Sequence, residues 1–365
     1  MTLHFYFARK FLMTILGVGT VFFLLIGLLD LIEQLRRFGD EDASFRDIVT
    51  LTLLNVPQGL YRILPLVVIL GTLALFLNLS RTSEMVVTRA AGRSAMRALT
   101  APVVVAFLFG LITVSALNPI VAATSTQYEA RASKLTRGEA SVLSVSKDGL
   151  WLRQGDKEGQ IVISAARANL DGTRLVNVTF LSFNADGIPV RRIEAAEAQL
   201  QDSAWALSQA KLWDLSKSGN AELTAQAYER YSVPTDLTRD RIQDSFGTPS
   251  AIPIWELRSF IQDLERAGFS AVQHRVWLHM ELTLPLLFVA MVLIGAGFTM
   301  RHTRFGRTGV MVLFAVMVGF GLFFLRVFAQ ILGENGQIPI LLAAWAPPIA
   351  AICFSLGLLF HLEDG

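Results

Sequence analysis

The sequence predicts an α-helical polytopic membrane protein of six transmembrane helices, interrupted by an inserted antiparallel β-domain. Three observations carry this. Of 365 residues, 53% are hydrophobic and 17% charged, whereas a soluble domain carries about 25% charge. The deficit is concentrated in runs of roughly 20 apolar residues, each long enough for a hydrocarbon core of about 30 Å. Between the third and fourth runs lie residues of a different character, rich in turn dipeptides and β-branched residues.

The first span is expected over 11–33. His4, Arg9 and Lys10 precede an apolar run continuing to Ile32. That is too long for a cleaved signal core, and no small-residue cleavage site ends it. The second span is expected over 55–79, with an earlier start allowed by apolar residues 48–57. Pro57 and Pro65 should bend it, which neighbouring helices make tolerable. The third is expected over 99–123, and the rest over 274–299, 308–332 and 338–361. The single cysteine, Cys353, lies in the last, so no internal disulfide can form.

Orientation follows from the basic residues of the short connectors. Arg9 and Lys10, then Arg81, Arg89, Arg93 and Arg97, then Arg301, Arg304 and Arg307 fall on one side if there are six spans. That side is the cytoplasm, and HLEDG at the C-terminal end joins it. The inserted domain is therefore exported. Asp148-Gly149, Asp171-Gly172 and Asp186-Gly187 are hairpin dipeptides. Strand-like runs such as 161–164 and 175–183 surround them, with Val176, Val178 and Phe180 on one face of the second. An antiparallel sandwich, jelly roll or open barrel would suit such spacing. The organisation expected is 1–123 for three spans, 124–252 for the β-domain, 253–272 for an amphipathic helix and 273–365 for three more spans. In that helix Leu257, Phe260, Ile261 and Leu264 repeat at helical spacing, fit either for the outer membrane surface or for packing on the β-domain.

Catalytic signatures are missing. There is no GxxxxGK[ST], HExxH, paired CxxC or GxSxG, so no phosphate loop or metalloprotease site is expected in this chain. His274 and His279 are five apart, poorly placed for one metal on one helix face. No metal, cofactor or catalytic residue is expected here.

The connector RTSEMVVTRAAGRSAMR (81–97) holds four arginines and one acid, Glu84. It reads as a solvated hairpin or as a short helix that docks into a groove on a soluble partner. Its segment 83–94, SEMVVTRAAGRS, resembles the S-E-hydrophobic-x-x-x-R-A-x-G-x-S stretch of the lipopolysaccharide export permeases, the LptF/LptG family. DLIEQLRR (30–37) and GQIPILLAAWAP (336–347) look similar too, the first more like LptG than LptF. The resemblance covers essentially the whole chain. It implies that Arg81, Glu84, Arg89 and Gly92 belong to a coupling helix, with Glu84 anchoring it in a groove of a cytoplasmic ATPase. It also implies a jelly-roll-like form for the periplasmic β-domain. The implied partners are an LptF-like permease, a dimeric LptB-like ATPase holding ATP and Mg, an LptC-like single-span β-protein, an LptA-like bridge, and lipopolysaccharide. The location implied is the bacterial inner membrane. A membrane-anchored sensor with a ligand-binding β-domain is the rival reading. A proton-coupled transporter would need acids nearer mid-membrane than Asp30 and Glu281.

Arginines also sit at outer ends of spans, where the positive-inside rule does not place them: Arg36, Arg37, Arg62, Arg275 and Arg326. An arginine at such depth snorkels, pairs or meets a ligand. Arg326 could pair with Asp30 or Glu281. Alternatively the five form a basic rim for the phosphates of a large anionic lipid, since a guanidinium grips phosphate through two hydrogen bonds at once. The family often has a lysine near the place of Asp30, implicated in lipid contact. Asp30 departs from that, which moves the expectation to Arg36 and Arg37.

Overall fold

A computed structural model describes the chain except residues 1, 40–43, 91–94, 136–141, 147–148, 157–158, 170–171, 185–187, 202–203, 217–219, 236, 239–247, 267–268, 301–307 and 364–365. Two compact units emerge. One comprises Met1–Glu129, Pro253–Trp255 and Val272–Gly365; the other comprises Ala130–Ile252 and Glu256–Ala271.

Among the described residues the first unit holds five helices long and apolar enough to cross a membrane, and a bent pair that makes six when taken as one span. Helix α1 (Thr2–Phe38) is mostly exposed, while α2 (Phe45–Arg81) is mostly buried. At 37 residues each, both reach about 55 Å, beyond the hydrocarbon core. Ser44 starts α2 with a reciprocal capping box to Asp47, which is why this helix begins well before the apolar run. Pro57 and Pro65 lie inside one unbroken helix. After the short α3 (Glu84–Ala90), the third span consists of α4 (Ala95–Ile112), a π-helical turn Thr113–Leu117 and α5 (Asn118–Leu135). It runs well past the expected limit at 123.

Helix α6 (Ile254–Arg266) buries Leu257, Ile261 and Leu264. Residues 256–271 group with the sheet, so this apolar face is occupied within the protein instead of lying open to a lipid surface. The fourth span is α7 (Val272–Leu282) and α8 (Leu284–Thr299), bent by 49° at Thr283. Helices α9 (Thr308–Glu334) and α10 (Ile340–Glu363) complete the unit. Connector arginines 301, 304 and 307, and Arg93 in the earlier connector, lie outside the described residues.

The core forms where α2 and α8 meet, with Val67, Val68, Phe288 and Met291 all buried. An apolar helix packed on every side is interior, and one exposed on most of its surface faces lipid or another chain. Small residues let the crossings close up. A Cβ on Gly110 would stand 2.5 Å from the Pro285 Cα, and one on Gly71 3.0 Å from Ile15 Cγ1.

The second unit is a seven-stranded antiparallel sheet: β1 (Val142–Ser146), β2 (Gly149–Asp156), β3 (Gly159–Ala168), β4 (Arg174–Asn184), β5 (Pro189–Gln201), β6 (Ala204–Asp214) and β7 (Gln226–Pro234). Strands neighbour one another in sequence order. The connectivity is thus a meander, simpler than the Greek keys of a strict jelly roll. The predicted dipeptides fall at the β1–β2, β3–β4 and β4–β5 connections. Gly172 takes φ +72°, as such a turn requires; Asp148, Asp171, Asp186 and Gly187 lie outside the described residues. One row across the core face reads Leu152, Ile163, Phe180, Ile193 and Leu212.

The predicted β4 face is corrected at one position. Val178 and Phe180 are buried, but Val176 is 37% exposed and Leu175 is buried instead. Asn177 takes φ +53°, which turns the strand over, so Val176 and Asn177 both point outward. Gln209 in β6 does the same at φ +54°. Neither has a partner in the strand register, whereas Val176 and Ser208 both pair with Glu197.

Candidate functional site

Three groups of polar residues stand out in the helical unit. The first is the corner between α1 and α3. Ser83, at φ +57°, ends the turn after α2, and Glu84 opens α3. The Glu84 carboxylate accepts from Lys10 Nζ at 2.9 Å, Tyr6 Oη at 3.0 Å and Thr82 Oγ1 at 2.9 Å. Lys10 also lies 5.4 Å from the Tyr6 ring centroid. Partial burial alone would raise the Glu84 pKa. The hydrogen bonds from Lys10, Thr82 and Tyr6, with the Lys10 charge, outweigh it and hold the carboxyl below its ordinary range. Arg81 is exposed. Arg89 lies in α3 with its side chain undescribed, and Gly92 is outside the described residues. Val87 presents a 67% exposed side chain next to this corner.

The second group is the outer arginines, which the structure does not assemble into one cluster by any direct contact among the described residues. Arg36 pairs with Glu33 at 3.1 Å, and Arg37 stacks over Phe38 at 5.2 Å. Both are exposed, as are Arg62 and Arg275.

Arg326 behaves differently, and belongs to the third group, a buried polar joint. Pro285 has no N–H for the Glu281 carbonyl four residues back, and the fourth span breaks there. Arg326 Nη2 donates to the neighbouring Met280 carbonyl at 3.2 Å, as does Thr283 Oγ1 at 3.0 Å. A cation at a helix C-terminus also suits the helix dipole. The predicted ion pairs are not direct: Asp30 accepts from Asn55 at 2.6 Å and Gln34 at 3.4 Å. Glu281, 1% exposed, accepts from Tyr61 Oη and, at 3.4 Å, from Asn118 Nδ2. Arg326 stays close enough to act on Glu281 through its charge alone.

The joint extends into the third span. Pro119 has no N–H to give the Ser115 carbonyl, and the π-turn stands at that point, with the Asn118 N–H bonded to the Thr113 carbonyl. Trp255 Nε1 supplies the missing donor to Ser115 at 3.2 Å, and Asn118 Oδ1 accepts the Ile254 N–H at 2.9 Å. Among the described residues no group of three or more His, Cys, Asp and Glu is placed to hold a metal.

Residues 5–361 match the family described as lipopolysaccharide export system permease LptF/LptG. The chain belongs to the LptF/LptG family. Similar relatives include the lipopolysaccharide export system permease protein LptG of Escherichia coli K12, 24% identical, the match covering 98% of this chain and 97% of the relative. The LptG of Haemophilus influenzae is also 24% identical, over 97% of this chain and 94% of that protein. Membership in the LptF/LptG family is that of a multi-pass permease, and the helical unit with its inserted antiparallel sheet agrees with it.

In this LptF/LptG chain Glu84, Glu281 and Arg326 stand out in the sequence, but their contacts do not. Tyr6, Tyr61, Asn118 and Trp255 carry no such mark. Asn118-Pro119 and Thr283-Leu284-Pro285 were the available signals, since each proline deletes a main-chain donor inside an apolar run.

Proposed function

We propose that this chain is an LptG-like permease subunit of an ATP-driven exporter that extracts lipopolysaccharide from the inner membrane and passes it to a periplasmic bridge. In this reading it pairs with an LptF-like permease, and an LptB-like ATPase dimer supplies ATP and Mg chemistry. An LptC-like β-protein and an LptA-like bridge receive the lipid. The N- and C-terminal ends face the cytoplasm and the β-domain faces the periplasm. The observation that carries this is the full-length family match, joined to an architecture of spans, inserted sheet and spans.

Helix α3 is the natural docking element. It is short, begins at Glu84 and offers Val87 outward beside Arg81. The tie from Glu84 to Lys10 and Tyr6 gives motion of α3 a direct path into α1. Arg36, Arg37, Arg62 and Arg275 are exposed, as contact with lipid phosphates requires. Arg62 is the barest, with no hydrogen bond or ion pair to another described residue. Arg326, bonded to the Met280 carbonyl, would need to leave that bond to serve lipid.

The test is purification of the tagged full chain in mild detergent, identification of retained proteins, and reconstitution with lipopolysaccharide. An ATPase and a second permease should co-purify, and ATP should drive lipid release to a soluble β-domain acceptor. Recovery of the chain without any ATPase, but with a small ligand on its β-domain, would favour the sensor and overturn the permease reading.

A further inference from the structure

The joint between the third and fourth spans has a feature that neither span explains alone. Two prolines each leave a carbonyl without its helical donor, Ser115 by way of Pro119 and Glu281 by way of Pro285. A helix broken inside a membrane survives only if other groups bond to the freed carbonyls. At Ser115 the donor comes from outside both spans. It is the indole of Trp255, on the short segment Pro253–Trp255 by which the chain re-enters the helical unit. One residue earlier, the Ile254 N–H lies at the start of α6, where no intrahelical acceptor exists. Asn118 accepts it and, with its other end, donates to Glu281. Asn118 is 2% exposed, so both bonds form away from water, where leaving a group unmade is costly.

We propose that Asn118 and Trp255 are positioning residues that latch the re-entering segment onto the two proline-broken spans, and that lipid export depends on this latch. The role in export rests on the permease reading. Asn118 is suited to it because an amide carries a donor and an acceptor on one rigid plane. The acceptor reads the main chain of α6, and the donor reads the fourth span through Glu281. Tyr61 ties the same carboxylate to α2. Withdrawal of Ile254 and Trp255 would leave Ser115 and Asn118 unsatisfied together. The π-turn could then relax, and with it the angle at which Gly110 lies against Pro285. The bend and the latch are thus parts of one joint, present together.

The experiment uses the full chain in its purified complex. Trp255→Phe keeps the ring and removes one N–H. Asn118→Asp keeps the acceptor for Ile254 but sets a carboxylate against Glu281. Adding Glu281→Gln to Asn118→Asp restores a donor–acceptor pair with its direction reversed. Amide hydrogen exchange is followed at 113–118 and 254–257, with β5 as internal control. Trp255→Phe should speed exchange at 113–118 and 254–257 by roughly five- to tenfold, as loss of one net hydrogen bond predicts. Strand β5 should be unchanged. In the reconstituted complex Asn118→Asp should lower lipid released per ATP hydrolysed, and the double variant should recover most of it.

Wild-type exchange in both Trp255→Phe and Asn118→Asp would overturn the latch. Loss of release that merely tracks the folded fraction in a thermal melt, with lipid per ATP constant, would overturn its role in export. If the wild-type complex releases no lipid with ATP, the permease reading and the export role fail together, while the exchange data still decide whether the latch exists.

Discussion

Arg326 places a guanidinium deep in the helical unit, where its visible task is to bond one carbonyl. That carbonyl, of Met280, lies in the last turn before the break at Thr283, and Thr283 Oγ1 bonds to it as well. Burying a charge without partners is costly, so the field of Glu281 nearby is part of the same arrangement. Arg326→Ala removes a charge-assisted bond and leaves Glu281 without its neighbouring cation. Chemical denaturation in detergent should show a loss of about 1.5–3 kcal/mol, the range for hydrogen bonds to charged groups. Exchanging the charges, Asp30→Arg with Arg326→Asp, should restore none of it. Asp30 is already engaged by Asn55 and Gln34, and an aspartate at 326 cannot donate to Met280. Full restoration would show that Asp30 is the true partner. The sequence marks Arg326 and Glu281 as anomalous by depth alone. It does not reveal that the arginine serves a main-chain oxygen, because that oxygen lies on a different helix, beside the break at Thr283. The turned face of β4 is a similar case. Alternation places Val176 inside, and a left-handed conformation at Asn177 puts it outside; asparagine tolerates that conformation better than most residues but does not demand it.

At the scale of elements, length and hydropathy are sufficient to place the spans, and a capping box explains where α2 starts. Breaks are harder to read. Pro57, Pro65, Pro102 and the Pro347-Pro348 pair lie inside unbroken helices, while Pro119 and Pro285 accompany a π-turn and a bend. At Pro119 the freed Ser115 carbonyl takes its donor from Trp255, a residue distant in sequence. Glycine gives a direct test of the crossing beside the break. Alanine in a helix ordinarily gains about 0.5–1 kcal/mol over glycine. At Gly321, where a Cβ meets nothing within 4 Å, Gly321→Ala should raise the thermal midpoint. At Gly110 the new Cβ would strike backbone of Pro285, which cannot rotate away. Gly110→Ala should therefore cost about 1–3 kcal/mol as an overpacking change. Equal midpoints for the two variants would mean that the third and fourth spans do not approach as closely as the structure has them.

The corner between α1 and α3 adds a pH-dependent prediction at the same scale. Glu84 is held below its ordinary 4.5. A carboxyl with a lowered folded pKa contributes stability that is fully present above the unfolded value and is lost as pH falls through the folded one. The tie to Lys10 and Tyr6 should thus be intact at neutral pH and loosen only below the ordinary carboxylate range. A spin label at Val87, in a Cys353→Ser background, should stay restricted down to about pH 4.5 and gain mobility below it. In Glu84→Gln the label should be more mobile at pH 7 and indifferent to acid. A label that loosens between pH 6 and 7 would point to a different titrating group at this corner.

For the whole molecule, the fold class is written in composition, and charge carries the proposed orientation. The connector after α2 carries Arg81, Arg89, Arg93 and Arg97, and the connector after α8 carries Arg301, Arg304 and Arg307. With six spans these lie on one side, and the positive-inside rule makes it the cytoplasmic side. The outer arginines are fewer per connector and spread along helices, so they do not offset this bias. The orientation proposed above then puts the sheet on the opposite side, since an odd number of spans precedes it. Labelling of single cysteines with a membrane-impermeant maleimide checks this in cells with a permeabilised outer membrane. Cys353, exposed on α10, is first replaced by serine. Cysteine at Leu223, an exposed site between β6 and β7, should react in these cells while the inner membrane is intact. Cysteine at Thr82, between α2 and α3, should react only after the membrane is disrupted. The opposite pattern would invert the protein, placing α3 in the periplasm, where no ATPase could reach it. Reaction at both sites without disruption would instead break the six-span count at the third span, the one that separates the two sites.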